Sequence, residues 1–232
     1  MKICIVCIEG LNRSGKTSHS EMLKKRLLDE GIYTEILIGD GTRPGIDNGS
    51  FYDPISPYWN EIGKEVFNLD DNNKYSKNIW SQAAAVLNKE LYDYRYKVLP
   101  EILKKDTRYK TGIIILVRSS ISRLFVLRQH YINVKYEDVK ARYIIEPDYY
   151  LVLDSPKEVL LQRNENTFDK KSDFRRHIIN NYYSLYFNTL NTLPIQLKKK
   201  ITMIDTTPPI ESVHEILYNL VVTITGSAKH KK

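Results

Sequence analysis

The segment that most constrains this chain is Gly10-Leu11-Asn12-Arg13-Ser14-Gly15-Lys16-Thr17, which fits G-x-x-x-x-G-K-[ST]. It lies between an apolar run, Ile3-Cys4-Ile5-Val6-Cys7-Ile8, and a stretch with Met22, Leu23, Leu27 and Leu28 at helical spacing. A strand must therefore end and turn at once into a helix. Gly10 and Gly15 let the backbone bend with its N–H groups pointing inward, where a Cβ would collide with a bound phosphate or with the turn itself. Lys16 is placed to reach the β- and γ-phosphates. Thr17, followed by Ser18, offers a hydroxyl to Mg²⁺, and the helix that starts here turns the positive end of its dipole to the anion. The expected ligand of Gly10 to Ser18 is a nucleoside triphosphate.

The chain has 232 residues, enough for one sizeable core, and is read as a single domain over 1–232. Its net charge of +7 is spread along the sequence without a basic stripe, which fits phosphorylated small molecules and argues against a nucleic-acid binder. The run Lys229-His230-Lys231-Lys232 is read as part of a frayed tail over 226–232. No apolar run approaches ~18 residues and no signal-peptide core is present, so a cytoplasmic protein without a membrane span is expected. Cys4 and Cys7 have odd spacing on one strand and so face opposite sides of a sheet. They are read as buried free thiols in a reducing compartment, since a redox C-x-x-C belongs at a helix start.

Further along, strands are expected at Tyr33 to Ile38, Gly112 to Val117, Pro147 to Asp154 and Ile201 to Ile204. Helices are expected from about Tyr75 to Lys105 with a kink at Pro100, to Gln129, over Glu158 to Arg163 with Ser155-Pro156 as its cap, over Asp173 to Leu190, and after Pro209 to Val222. Gly39 to Gly45 reads as a loop, 46–57 as a polar excursion, Trp59 to Leu69 as a short helix, and 164–173 as a small lid. The uniformly apolar Gly112 to Val117 demands a central strand covered on both faces. These elements define an α/β P-loop NTPase fold, a three-layer sandwich with a five-stranded parallel sheet flanked by helices. Its ligands belong at the carboxyl ends of the strands.

The ordered set of motifs resembles the thymidylate kinase family of nucleoside monophosphate kinases. Ile8 to Thr17 resembles that family's I-E-G-L-D-x-x-G-K-T, and Thr42-Arg43-Pro44-Gly45 its loop after the second strand, one residue shorter. Arg118 falls on the arginine of D-R-Y/F. Pro147-Asp148 with Leu153-Asp154 resembles P-D-x-x-x-x-L-D. Phe174, Ile178, Tyr182 and Leu185 follow the helix after the family's lid, and Ile204-Asp205, Ile210-Glu211 and Val213-His214-Glu215 its closing strand and helix.

The resemblance implies ATP-dependent, Mg²⁺-assisted transfer to a deoxynucleoside monophosphate, dTMP to dTDP first, by a homodimer. It implies catalytic roles for Arg13, Lys16 and Arg118, and acceptor binding by Glu9, Asn12, Arg43, Arg95 and Arg118. It places Lys170, Lys171, Arg175 and Arg176 in or beside the lid. Thr17 would hold Mg²⁺, with Asp154 or Glu9 acting through water. Two aspartates of the family are replaced, by Val117 and Asn12, and no arginine is evident to read the acceptor base, Arg95 being the nearest. Two alternatives stand beside this reading. One is a deoxynucleoside kinase, which needs a carboxylate base where Val117 stands. The other is a catalytically weakened nucleotide-binding paralogue.

Overall fold

The N-terminal apolar run forms β1 (Lys2–Gly10), fully buried from Cys4 onward. It lies between two parallel neighbours, β3 (Thr111–Val117) and β4 (Tyr149–Asp154). β2 (Tyr33–Ile38) pairs with β3, and β5 (Ile201–Asp205) with β4, so the order is β2-β3-β1-β4-β5 with every pair parallel. The structure is a computed structural model and describes residues 2–38, 91–129, 134–140, 145–166 and 172–226. The readings for Asp40 and the 39–45 loop with Arg43, the 46–57 excursion, the 59–69 helix, residues 75–90, lid residues 167–171 with Lys170 and Lys171, and the tail beyond Gly226 lie outside those residues.

Parallel strands cannot be joined by tight hairpins, so the crossovers carry helices. These are α1 (Lys16–Asp29), α2 (Leu99–Lys105), α3 (Ser120–Gln129), α4 (Tyr136–Lys140), α5 (Lys157–Glu165), α6 (Ser172–Asn191), α7 (Ile195–Lys198) and α8 (Ile210–Thr225). Strand alternation decides which helices cover which face. Cys4, Val6 and Ile8 pack with Leu23 and Leu27 of α1 and Val213, Leu217 and Val221 of α8. Ile5 and Cys7 face the other way, into a cluster with Leu99, Leu124, Phe125 and Tyr186. The three layers of the sandwich follow, at about 1.5–3 kcal/mol for each large side chain buried.

The cysteines thus sit in opposite clusters and are unbridged, as their spacing requires. Burial pushes the Cys4 thiol up to about 12 and the Cys7 thiol well above its ordinary value. Neither is a nucleophile at neutral pH.

Two local expectations change form. Around Pro100 the helix is not simply bent. Proline lacks an N–H and its ring crowds the carbonyl four residues earlier. The chain answers with a π turn over Tyr94–Val98, in which the Leu99 N–H donates to the Tyr94 carbonyl, and resumes as α2 with Pro100 in its first turn. Ser155 does not cap α5. Pro156 occupies that position without a side-chain cap, and the Ser155 hydroxyl pairs with that of Thr206 beyond β5. The short helices α4 and α7 were not anticipated. No helix of the described residues is long and apolar enough to cross a membrane.

α2 reaches the sheet through Gly112, where an added Cβ would lie 2.7 Å from Leu99 Cδ2 and 3.2 Å from Leu103 Cδ1. Gly112→Val is therefore expected to destabilise the fold by about 2 kcal/mol through overpacking. Thermal unfolding followed by circular dichroism should show a Tm lower by about 4–8 °C. An unchanged Tm would show that α2 does not need the glycine.

Candidate phosphate-binding site

β1 ends at Gly10, whose φ of 144° is open to glycine and strained for other residues. A Cβ there would lie 2.5 Å from Ser14 Oγ and 2.7 Å from the Leu153 carbonyl oxygen of β4. The loop closes with the Ser14 N–H donating to the Leu11 carbonyl at 3.2 Å, and Arg13 takes a left-handed φ of 70°. Lys16 then opens α1. It is buried, and its Nζ donates to the carbonyls of Gly10 at 2.8 Å and Leu11 at 2.6 Å. The first turn of α1 holds no acidic side chain, so nothing on the helix itself offsets the positive end of its dipole.

A cavity of about 400 Å³ lies over this loop. Its floor is Asn12 to His19, including Thr17 and Ser18. Val117 and Arg118 form one wall. Arg118 also takes a left-handed φ, 69°, and its Nη2 donates to Asn12 Oδ1 at 2.7 Å. Arg163, Asn166 and Arg175, with Thr206, Pro208, Ile210 and Val213, complete the lining. Arg163 donates to Ser155 Oγ at 3.1 Å and to the Thr206 carbonyl, tying α5 to the segment after β5. Burial pulls its guanidinium below the usual arginine range. Arg13, Lys16, Arg118, Arg163 and Arg175 all line the cavity, and no Asp or Glu of the described residues does. Five cations around one hollow of this size suit a polyanion.

Several expected contacts fall elsewhere. Glu9 is fully buried and does not line the cavity. Its carboxylate accepts from Ser119 Oγ at 2.6 Å, Ser122 Oγ at 2.5 Å and the Ser122 N–H at 3.4 Å. It serves as an acidic cap for α3. Arg95 pairs with Asp148 at 3.6 Å. Asp148 precedes β4, so Arg95 sits at the amino end of that strand, away from the loop. Asp154 ends β4 in register with Asp205 and is absent from the lining. Burial first, and then the Asp205 charge, raise its carboxyl above the usual range. Arg176 is exposed and off the cavity, while its neighbour Arg175 is on it.

Reading the sequence did not single out Arg163, Asn164, Asn166, Thr206, Pro208 or His19. The segment after β5 could have been found from the rule that parallel sheets bind ligands at the carboxyl ends of their strands. Asn164 and Asn166 looked like loop composition.

Among the described residues no group of three or more His, Cys, Asp and Glu is placed to hold a metal. With Glu9 committed and Val117 apolar, the loop offers a divalent ion the Thr17 hydroxyl. That suits Mg²⁺, which takes few protein ligands and completes its shell from phosphates and water.

No model of a protein family matches the chain. Among solved structures it is similar to thymidylate kinase from Candida albicans, with a TM-score of 0.60 and 17% identity, covering 98% of this chain and 94% of that one. The shared property is the fold, a five-stranded parallel sheet flanked by helices with the loop at the end of β1. A probable adenylyl-sulfate kinase from Halalkalibacterium halodurans is 39% identical over 49 residues, 21% of this chain. The match spans 24% of that relative's own length.

His19 lies beneath the loop, 3% exposed, with Nδ1 lacking a hydrogen-bond partner among the described residues. Burial, with His214 and Arg163 nearby, pushes its pKa down from 6.5 to about 4. As pH falls below 6.5 the unfolded chain binds a proton that the native protein refuses until about 4. Stability is therefore lost across that window and levels off beneath it. Urea unfolding over a pH series should show His19→Asn with a slope shallower by up to about 1.4 kcal/mol per pH unit in the window. His214, lowered in the same direction, leaves a residual slope. Parallel curves for the two proteins would refute the assignment.

Proposed function

We propose that this protein transfers the γ-phosphoryl group of ATP to the phosphate of a nucleoside monophosphate, with dTMP to dTDP as the first reaction to test. The observation that carries this reading is the convergence of Arg13, Lys16, Arg118, Arg163 and Arg175 on one cavity that no described carboxylate lines. A phosphate oxygen is already an anionic nucleophile, so the reaction needs positioning and charge neutralisation and no base. Lys16 would exchange the Gly10 and Leu11 carbonyls for the donor's β- and γ-phosphates. Arg118, steadied by Asn12, would grip the acceptor phosphate from the β3 wall, where bidentate geometry favours arginine over lysine. Arg43, in the loop after β2, is proposed as its companion. Arg13 would meet charge that develops on the transferring group. Arg163 and Arg175, with Lys170 and Lys171 of the proposed lid, would face the donor's phosphates. Pro208, Ile210 and Val213 would receive its base. Mg²⁺ held by Thr17 and the nucleotide would neutralise β,γ-oxygen charge.

A free nucleoside acceptor needs a group to take its hydroxyl proton. Glu9 is buried with both oxygens bonded to serines, and Val117 is apolar, which favours the monophosphate. The Candida albicans enzyme is described as having broad substrate specificity. Asn12, a neutral amide at the acceptor side, supports testing a wide panel here as well. Tyr92 and Tyr96, 47% and 54% exposed, pack ring against ring with centroids 4.8 Å apart ahead of α2 and support a homodimer through that helix. A cytoplasmic address is part of the proposal.

A coupled ADP-release assay with ATP, Mg²⁺ and a panel of acceptors tests the proposal. Turnover on deoxynucleoside monophosphates is expected. Turnover on free nucleosides would replace it with a nucleoside kinase, and ATP binding without turnover with a nucleotide-holding paralogue. Arg13→Ala should lower kcat by about 10²-fold or more while ATP affinity stays within a few-fold. Equal losses in both would remove Arg13 from the transition state.

A further inference from the structure

Asn164 occupies the last turn of α5 and is fully buried. Asparagine is a poor residue for a helix interior, and a buried amide is costly unless it is hydrogen-bonded. Here its Oδ1 accepts from Arg13 Nε at 3.0 Å, across 151 positions of sequence. A guanidinium has donors only, so the amide atom facing it is the oxygen. Arg13 sits on a turn with left-handed φ, where the backbone alone does not aim a long side chain. A bond at Nε fixes the plane of the guanidinium on a residue that lines the cavity. The anchor is itself held, because the adjacent Arg163 ties the end of α5 to Ser155 and Thr206.

We infer that Asn164 is a positioning residue for phosphoryl transfer, which holds the Arg13 guanidinium in its working orientation from the last turn of α5. This rests on the kinase reading above. Asn164 touches no reacting atom. It acts through Arg13, and a misplacement on the order of 1 Å is enough to cost about 10²-fold in rate.

A double-mutant cycle in steady-state kinetics tests it. Asn164→Ala is expected to lower kcat by about 10- to 100-fold with the donor KM within about threefold. In the Arg13→Ala background the same change should cost nothing further, since no guanidinium remains to be aimed. Asn164→Asp keeps an acceptor oxygen and should retain more kcat than Asn164→Leu, which has the same branching and no acceptor. Asn164→Leu carries the cycle if thermal melting shows the alanine variant to be unfolded. Losses that multiply in the double mutant, a raised KM at unchanged kcat, or a leucine variant as fast as the parent would overturn the assignment while leaving the kinase reading intact. A parent protein that turns over no nucleoside monophosphate would fell the kinase reading first and this assignment with it.

Discussion

At Gly10 the backbone of β1 passes so close to β4 that no side chain fits between them. A Cβ there would sit within 2.7 Å of the Leu153 carbonyl and closer still to Ser14. Gly10 and Leu153 are also register partners, so this contact fixes where the ladder ends and the loop begins. Everything downstream takes its position from that stop. The Gly10 carbonyl receives Lys16, the loop carries Arg13 and Asn12 outward, and α1 leaves with its amino end directed at the cavity. A larger residue at position 10 would displace the floor of the site along with one strand.

Charge is distributed around that loop with a clear division. Five cations line the cavity, and the carboxylate nearest in sequence, Glu9, is turned beneath the loop to the start of α3. The two placements belong together. An acid at the mouth of the site would neutralise the field that draws a polyphosphate, whereas at the amino end of α3 it is favoured by the helix dipole and three hydrogen bonds. Glu9 also braces the turn between β3 and α3, beside Arg118, whose N–H donates to the Ile8 carbonyl at 3.0 Å. The mutual repulsion of the cations is a standing cost in the free protein. A bound polyanion relieves it, so ligand binding and fold stability are coupled by mass action.

The sheet was legible because its signals are local. Apolar runs marked β1 as a strand and β3 as a central one, the odd spacing of Cys4 and Cys7 forecast opposite faces, and the glycine pattern located the loop to the residue. Of the residues the sequence singles out, Asn12 to Ser18, Arg118 and Arg175 line the cavity. Glu9 and Arg95 lie off the cavity for a common reason. Sequence shows that a charged residue lies near a strand end or on a helix, but not which neighbour it meets, and both found partners within the protein. Arg163 and Asn164 were invisible for the converse reason. Their meaning lies in contacts with Thr206 and Arg13, which no local pattern announces.

Asn12 and Arg13 are adjacent, yet their side chains bind different elements of the fold. Asn12 accepts from Arg118 at the end of β3, and Arg13 donates to Asn164 at the end of α5. One peptide unit of the loop therefore joins the proposed acceptor side to the end of α5. Both arginines hold left-handed φ values, a cost of about 1–3 kcal/mol each that surrounding contacts must offset. An aspartate at position 12 would pair with Arg118 as an ion and draw down the charge available to a phosphate. The neutral amide orients the guanidinium and leaves that charge undiminished. The neutral amide of Asn12 and the apolar Val117 thus leave the cationic character of the wall at Arg118 undiminished.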